Sequence, residues 1–425
     1  MRGTRCLVMA LTAAFVAYGN GAIGAEFKHM GVASCAASVC HGKLAPQTDR
    51  NVQLNEYRTW SQEDRHSQAY RTLESAQSKA IAQKLGLPSA KTAQICLDCH
   101  SDSSTARGPK FLVSDGVGCE ACHGGAEKWI ESHAEKAATH QRNLSLGMYP
   151  TESPAARARL CLTCHMGTAD KLATHNIMGA GHPRLSFELD AFTNNQPAHY
   201  KVDEDYVRRK GKIEGMNLWV TGQVEGARRF LTLLQSRRFQ PGGLFPELAF
   251  YDCYGCHHSI DSLRWSSERA GPGVKPGTLR LQNYHLVTLQ AVTESAGATA
   301  TVASLLSAGS DLTRAGQTDS AAVNAAAGKL LEWLRGYEPT AQRTYSRAEI
   351  AAVRKTLLRY AATDKASDFG AAEQVVLGVE SLSYTLGDRE QHKAAIDSLY
   401  DTVKSSAAFN PQRFAQTARG IQGQF

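Results

Sequence analysis

Ten of the eleven cysteines in this chain form five close pairs, and a histidine follows the second cysteine of every pair. Four pairs have the spacing C-x-x-C-H, whereas the first has four residues between its cysteines. The cysteines are Cys35, Cys40, Cys96, Cys99, Cys119, Cys122, Cys161, Cys164, Cys253 and Cys256, and the histidines are His41, His100, His123, His165 and His257. Two thiols one short turn apart can form thioether bonds to a porphyrin edge, and the next imidazole then lies beneath the iron. The pattern predicts five covalently attached haem c groups.

Two other uses of paired cysteines compete with this interpretation. A zinc site takes such pairs two by two and has no preference for histidine at the next position. A disulfide within C-x-x-C closes a very small loop and adds little stability. Because the histidine follows every pair, haem attachment is favoured for the four short motifs and for the longer first one.

Four other histidines are predicted to bind an iron from its second face. Two segments, "CEACHGGAEKWIESH" and "CLTCHMGTADKLATH", align without a gap and end in His133 and His175, each ten residues after a motif histidine. His182 lies at a Gly- and Pro-containing turn before an apolar run, and His66 follows a predicted helix. A second histidine makes the iron six-coordinate and low-spin, which favours electron transfer.

The six histidines left over receive weaker predictions. His199, His258 and His285 remain open as further iron ligands, and His285 lies where it could reach back to the fifth motif. His29 and His140 are more typical of hydrogen-bonded or surface residues, and His392, far from any cysteine, is predicted to be a surface residue.

The segment from about Cys35 to His175 resembles the cytochrome c-554 family of multihaem electron carriers. The resemblance depends on the first haem motif, Trp60 with His66 soon after it, "CLDCH", "GVGCEACHGG" with its histidine ten residues on, and "CLTCH". It covers about a third of the chain, and the fifth motif and the C-terminal half lie outside it.

The resemblance implies a particular set of iron ligands. By analogy with that family, His133 would be the distal ligand to the haem of His41. His66 would serve the haem of His123. The haem of His100 would tend to be five-coordinate.

The fold class predicted from the sequence is mainly α, in three segments. Residues 1–25 have the charge, apolar length and small residues of a signal peptide. Residues 26–268 are predicted to be a pentahaem cytochrome c domain with little regular structure around stacked haems. It would contain one amphipathic helix over 216–238. Residues 281–425 lack cysteine, show apolar residues at helical spacing, and predict a bundle of four or five helices.

The charge of the chain gives no reason to expect nucleic acid as a partner. The formal charge is +7, and loss of Arg2 and Arg5 with the signal peptide lowers it to +5. Each ferric haem c adds about −1 through its two propionates, so the holoprotein would be close to neutral.

These observations predict a periplasmic or cell-surface cytochrome that relays electrons through five haems. Its partners would be redox proteins, either other cytochromes or a membrane quinol-linked complex, and the mature chain would have no transmembrane segment. The alternative is an oxidoreductase acting on a small nitrogen or sulfur compound at a five-coordinate haem, for which the haem of His100 is the candidate. No catalytic residue is predicted, and an electron carrier is favoured over an enzyme.

Overall fold

The computed structural model describes residues 27–48, 52–212, 215–239, 246–257, 273–275 and 277–425. The predicted signal peptide and His258 lie outside these residues. The described chain is mainly α, as predicted, with 60% helix, 18 α-helices and no strands. Within it, no helix is both long enough and apolar enough to cross a membrane.

The N-terminal half consists of short helices joined by irregular segments. Its α-helices are Glu56–Glu63, Ala69–Thr72, Ala76–Lys84, Gln94–His100, Cys119–His123, His140–Ser145, Pro154–His165, His175–Gly179, Leu189–Asn195 and Glu204–Lys210. Three of these helices end on a motif histidine, so the C-x-x-C-H spacing coincides with a last helical turn. The two buried apolar clusters described here are small, and one of them contains just Leu73, Ala82 and Ala90. Side chains alone therefore give this half little core.

The C-terminal half has an extensive side-chain core. Its helices are Gly215–Leu234, Tyr284–Ser295, Thr299–Ala315, Ser320–Gln342, Arg347–Ala361, Phe369–Leu386, Lys393–Tyr400 and Pro411–Ile421. Seven of them begin at or after Tyr284, so the prediction of four or five helices was too low. Short breaks such as the one at Gly297, which has a φ of 71°, divide the apolar pattern more often than the sequence suggested. The predicted capping box of Ser346 and Glu349 is present.

The helix Gly215–Leu234 connects the two halves. It supplies Trp219, Leu231 and Leu234 to the C-terminal core, and its other side contacts Pro154–His165. Gly222 permits a close approach to the N-terminal half, because a Cβ there would lie 2.6 Å from the Cβ of Leu189. The core thus extends across the predicted segment boundary, and the division itself stays a prediction.

His392 is not the surface residue that the sequence predicted. Its residue exposure is 6%, and its ring stacks on Phe425 with 4.4 Å between ring centroids. The last residues of the chain fold back over the helix that follows His392, and Arg354 lies on the same Phe425 ring. Sequence position alone could not reveal this return.

Candidate haem-binding sites

Each of the five motif histidines lies opposite the ring of a second histidine. We number the sites by motif order. The ring centroids are 6.1 Å apart for His41 and His133, 6.3 Å for His100 and His182, 6.2 Å for His123 and His199, 6.2 Å for His165 and His66, and 6.2 Å for His257 and His175. Because a metal–imidazole bond is about 2 Å long, two imidazoles on opposite faces of one iron have ring centres roughly 6 Å apart. The residues present therefore fit five haem irons.

The second member of each pair matches the predicted set, with one addition. His66, His133, His175 and His182 each lie opposite a motif histidine. The fifth is His199, which the sequence left open. His199 follows the helix Leu189–Asn195, in a segment that has no sequence repeat and no characteristic distance from a haem motif. Its proximity to His123 therefore depends on the tertiary fold.

Two pairings differ from those implied by the resemblance. His66 lies opposite His165 rather than His123, because Asp64 and the turn after the helix Glu56–Glu63 direct its ring there. His182 lies opposite His100, which the resemblance left without a partner. The pairing of His133 with His41 agrees with the family pattern.

Hydrogen bonds at Nδ1 orient half of the ten rings. The Nδ1 partners are Glu56 Oε2 for His41 at 2.9 Å, Asp64 Oδ1 for His66 at 2.8 Å, Ala69 O for His100 at 3.0 Å, Trp129 O for His133 at 3.1 Å and Pro183 O for His182 at 2.7 Å. Engaging Nδ1 in this way selects the tautomer whose Nε2 is free to bind a metal. His140 differs, since its Nε2 contacts Glu152 at 2.7 Å.

Burial favours the neutral imidazole at two motif histidines. It lowers the pKa of His123 and of His165 to about 4. Phe187 stacks on the His165 ring at 4.9 Å, and Phe192 meets its edge at 5.4 Å. A neutral imidazole is the form that binds iron, so these surroundings suit an axial ligand.

Glu120, inside the third motif, anchors the chain around it. The carboxylate is buried, with 3% exposure, and accepts backbone N–H bonds from Met30, Gly31 and Ala126, each 2.7 Å long. It thereby ties the segment before the first motif to the third motif. Gly31, which has a φ of 92°, makes the tight turn that this contact needs.

Several large apolar side chains are exposed beside the motifs. Val39, inside the first motif, is 84% exposed, and Ile95, next to Cys96, is 47% exposed. Leu248, which precedes the fifth motif, is 49% exposed. A porphyrin attached at the neighbouring cysteines offers apolar surface that these side chains can pack against.

The ten described motif cysteines are free thiols, and thiols of different motifs meet. The thiols of Cys35 and Cys119 lie close enough to affect each other's pKa, and so do those of Cys99 and Cys164. Cys122 lies close enough to Cys161 for their charges to interact. Within the described ranges, no group of three or more His, Cys, Asp or Glu side chains is placed to hold a metal.

The remaining described histidines form no ring pair with a motif histidine. His285 is buried at 6% exposure and donates its Nδ1–H to Gln223 Oε1 at 2.8 Å, and burial lowers its pKa to about 3. His29 bonds Asp102 through Nδ1 at 2.7 Å. Neither ring is opposed by a motif histidine.

Paired imidazoles beside C-x-x-C-H motifs, in a mainly α chain whose N-terminal half has little side-chain core, define the class of c-type cytochromes that transfer electrons. Residues 34–124 match the family model for cytochrome c554 and c-prime, so the resemblance to this family is confirmed for the N-terminal part. The match spans less than a quarter of the chain. No curated protein and no solved structure matches the chain.

Proposed function

We propose that this chain is an exported multihaem cytochrome that relays electrons through five haem c groups, each held by two histidines. The observation that carries the proposal is the set of five opposed imidazole pairs, whose ring centroids all lie 6.1–6.3 Å apart. Bound haem supplies reversible one-electron chemistry. The protein attaches it, orients its axial ligands and excludes water around it.

The cysteine contacts support a spatial order that differs from the chain order. Cys35 meets Cys119, which makes the first and third sites neighbours. Cys122 lies near Cys161, linking the third to the fourth, and Cys99 meets Cys164, linking the fourth to the second.

The fifth site adjoins the second. Its His175 begins the short helix His175–Gly179, and His182, of the second site, follows just after that helix. Burial raises the pKa of the Cys253 thiol, and Arg184, two residues after His182, lies near enough for its charge to oppose that shift. The resulting relay runs first, third, fourth, second, fifth.

Exposure along this order fits entry and exit at its two ends. At the fifth site His175, His257 and Cys256 are exposed, and at the first site Cys40 is exposed. The histidines of the other four sites are half-buried, so at the first site the exposed group is an attachment cysteine. Electrons would therefore be exchanged with redox partner proteins at the first and fifth sites, outside the cytoplasm if residues 1–25 direct export.

The enzyme alternative needs an iron with a free coordination position. Its candidate was the haem of His100, and the ring of His182 lies where that position would be. This geometry favours the electron carrier.

Intact mass and spectroscopy of the purified full-length holoprotein test the proposal. We expect five haems per chain, low-spin ferric spectra, and no binding of carbon monoxide to the reduced protein. Fewer than five haems, or a high-spin fraction equal to one haem in five, would contradict it.

A further inference from the structure

Lys171 lies between the second and fourth haem sites. Its Nζ donates to the backbone carbonyl of Asp98, within "CLDCH", at 2.9 Å. The same Nζ lies 3.4 Å from Sγ of Cys164, within "CLTCH". The Cys164 thiol also lies close to that of Cys99. One ammonium group thus touches both motifs at the point where their attachment sulfurs meet.

The charge of Lys171 becomes more important once the cysteines are bonded to haem. A thioether sulfur is neutral, so attachment removes Cys99 and Cys164 as groups that could become anions beside the ammonium. The carboxylate of Asp98, the residue whose backbone oxygen binds Lys171, is itself bound by Gln94 Nε2 at 2.5 Å. Reduction of a haem adds one negative charge, and a nearby cation stabilises that charge by an amount that falls with distance and with solvent screening.

We propose that Lys171 is an electrostatic positioning residue that raises the reduction potentials of the second and fourth haems together. This inference rests on the proposed function, since it requires haem at both sites. Its consequence is that an electron travelling along the relay is held preferentially on this central pair.

A second lysine in the internal repeat provides a control. Lys128 lies one position before the equivalent of Lys171, which is Trp129, when "CEACHGGAEKWIESH" is aligned with "CLTCHMGTADKLATH". Its Nζ lies over the ring of Phe27, 4.6 Å from the ring centroid. Among the described residues, this ammonium group contacts no motif cysteine. Charge removal at Lys128 should therefore leave the second and fourth potentials unchanged.

The experiment is a redox titration of full-length holoprotein followed by optical and EPR spectroscopy. Lys171→Gln keeps a hydrogen-bond donor for Asp98 O. In this variant the reduction potentials of the second and fourth haems should fall, and the other three should stay unchanged. Lys171→Arg should restore the wild-type values, and Lys128→Gln should not differ from wild type. Asp98→Asn should move the same potentials in the opposite direction, which tests the charge without disturbing Lys171.

The outcomes separate this inference from the proposed function. Five low-spin haems with unchanged potentials in both Lys171→Gln and Asp98→Asn would overturn the role of Lys171 and leave the carrier intact. A uniform shift of all five potentials would also overturn it. If Lys171→Gln loses haem, Lys171→Met takes its place: a fall of the second and fourth potentials supports the inference, and no shift rejects it. A wild-type protein with fewer than five haems would contradict the proposed function itself.

Discussion

The rings of His41 and His133 lie nearly parallel, with 10° between their planes and 6.1 Å between their centroids. His133 belongs to the segment that follows the third motif, so this pair joins two haem sites through one short stretch of chain. Trp129 orients the ring of His133 in two ways. Its backbone oxygen accepts a hydrogen bond from His133 Nδ1 at 3.1 Å, and its indole packs edge-on against that ring, with 5.4 Å between ring centroids.

The angle between paired rings predicts the EPR spectrum. Parallel imidazoles split the two iron dπ orbitals that they interact with, whereas perpendicular imidazoles leave them nearly equal in energy and increase the g anisotropy. The interplanar angles are 85–88° at the second, third and fourth sites, but 10° and 33° at the first and fifth. We expect ferric holoprotein to show three highly anisotropic low-spin signals and two rhombic ones. Five signals of one type would contradict these pairings.

Removing the ring of His199 should open the third haem site. In His199→Ala we expect one high-spin haem in five, and carbon monoxide should bind to one haem after reduction, because His123 would have no opposed ring. His140→Gln is the matched control: its Nε2 is engaged by Glu152 at 2.7 Å, and this variant should stay fully low-spin. A low-spin His199→Ala protein would reject the ligand role.

Glu120→Gln should destabilise the protein around the first and third motifs. An amide offers one acceptor oxygen where the carboxylate accepts three N–H bonds, so at least one buried donor loses its partner, at a cost of about 2 kcal/mol. Chemical denaturation should show a lower free energy of unfolding. Glu127→Gln, which affects an exposed ion pair with Lys28, should change it by less than about 1 kcal/mol. Equal losses in the two variants would show that the burial of Glu120 is unimportant.

The buried carboxyl of Glu188 predicts that stability falls as pH rises. Burial raises the pKa of Glu188 to about 8, from a usual value of 4.5. Between these values the unfolded chain releases the proton and the folded chain keeps it, so stability present below pH 4.5 is progressively lost up to about pH 8. Asp190, whose pKa burial raises to about 6, adds to the same trend.

The comparison of Glu188→Gln with wild type isolates this contribution. Denaturant unfolding at several pH values should give a shallower decline in the variant, by up to about 1.4 kcal/mol per pH unit. The contribution of haem propionates is common to both proteins and cancels in the difference, whereas Asp190, whose charge raises the pKa of Glu188, cancels only in part. Parallel pH profiles in the two proteins would mean that Glu188 does not titrate in this range.

The sequence by itself was enough to predict the features that depend only on neighbouring residues. Haem attachment at a C-x-x-C-H motif is a local prediction, because the two thiols and the imidazole come from neighbouring residues and their spacing is visible in the sequence. The repeat likewise singled out His133 and His175, since an equal distance from an equal motif is a local property. The mainly α character followed from apolar periodicity.

Only the tertiary structure decided which rings meet. Nothing in the sequence near His199 relates it to His123, 76 residues earlier, and their pairing depends on how the segments fold around the third site. The same is true of His66 with His165, where the family pattern suggested a different partner, and of the contact between Lys171 and the second motif. Which histidine lies opposite a given motif histidine depends on how distant segments pack together, and that packing is a property of the whole fold.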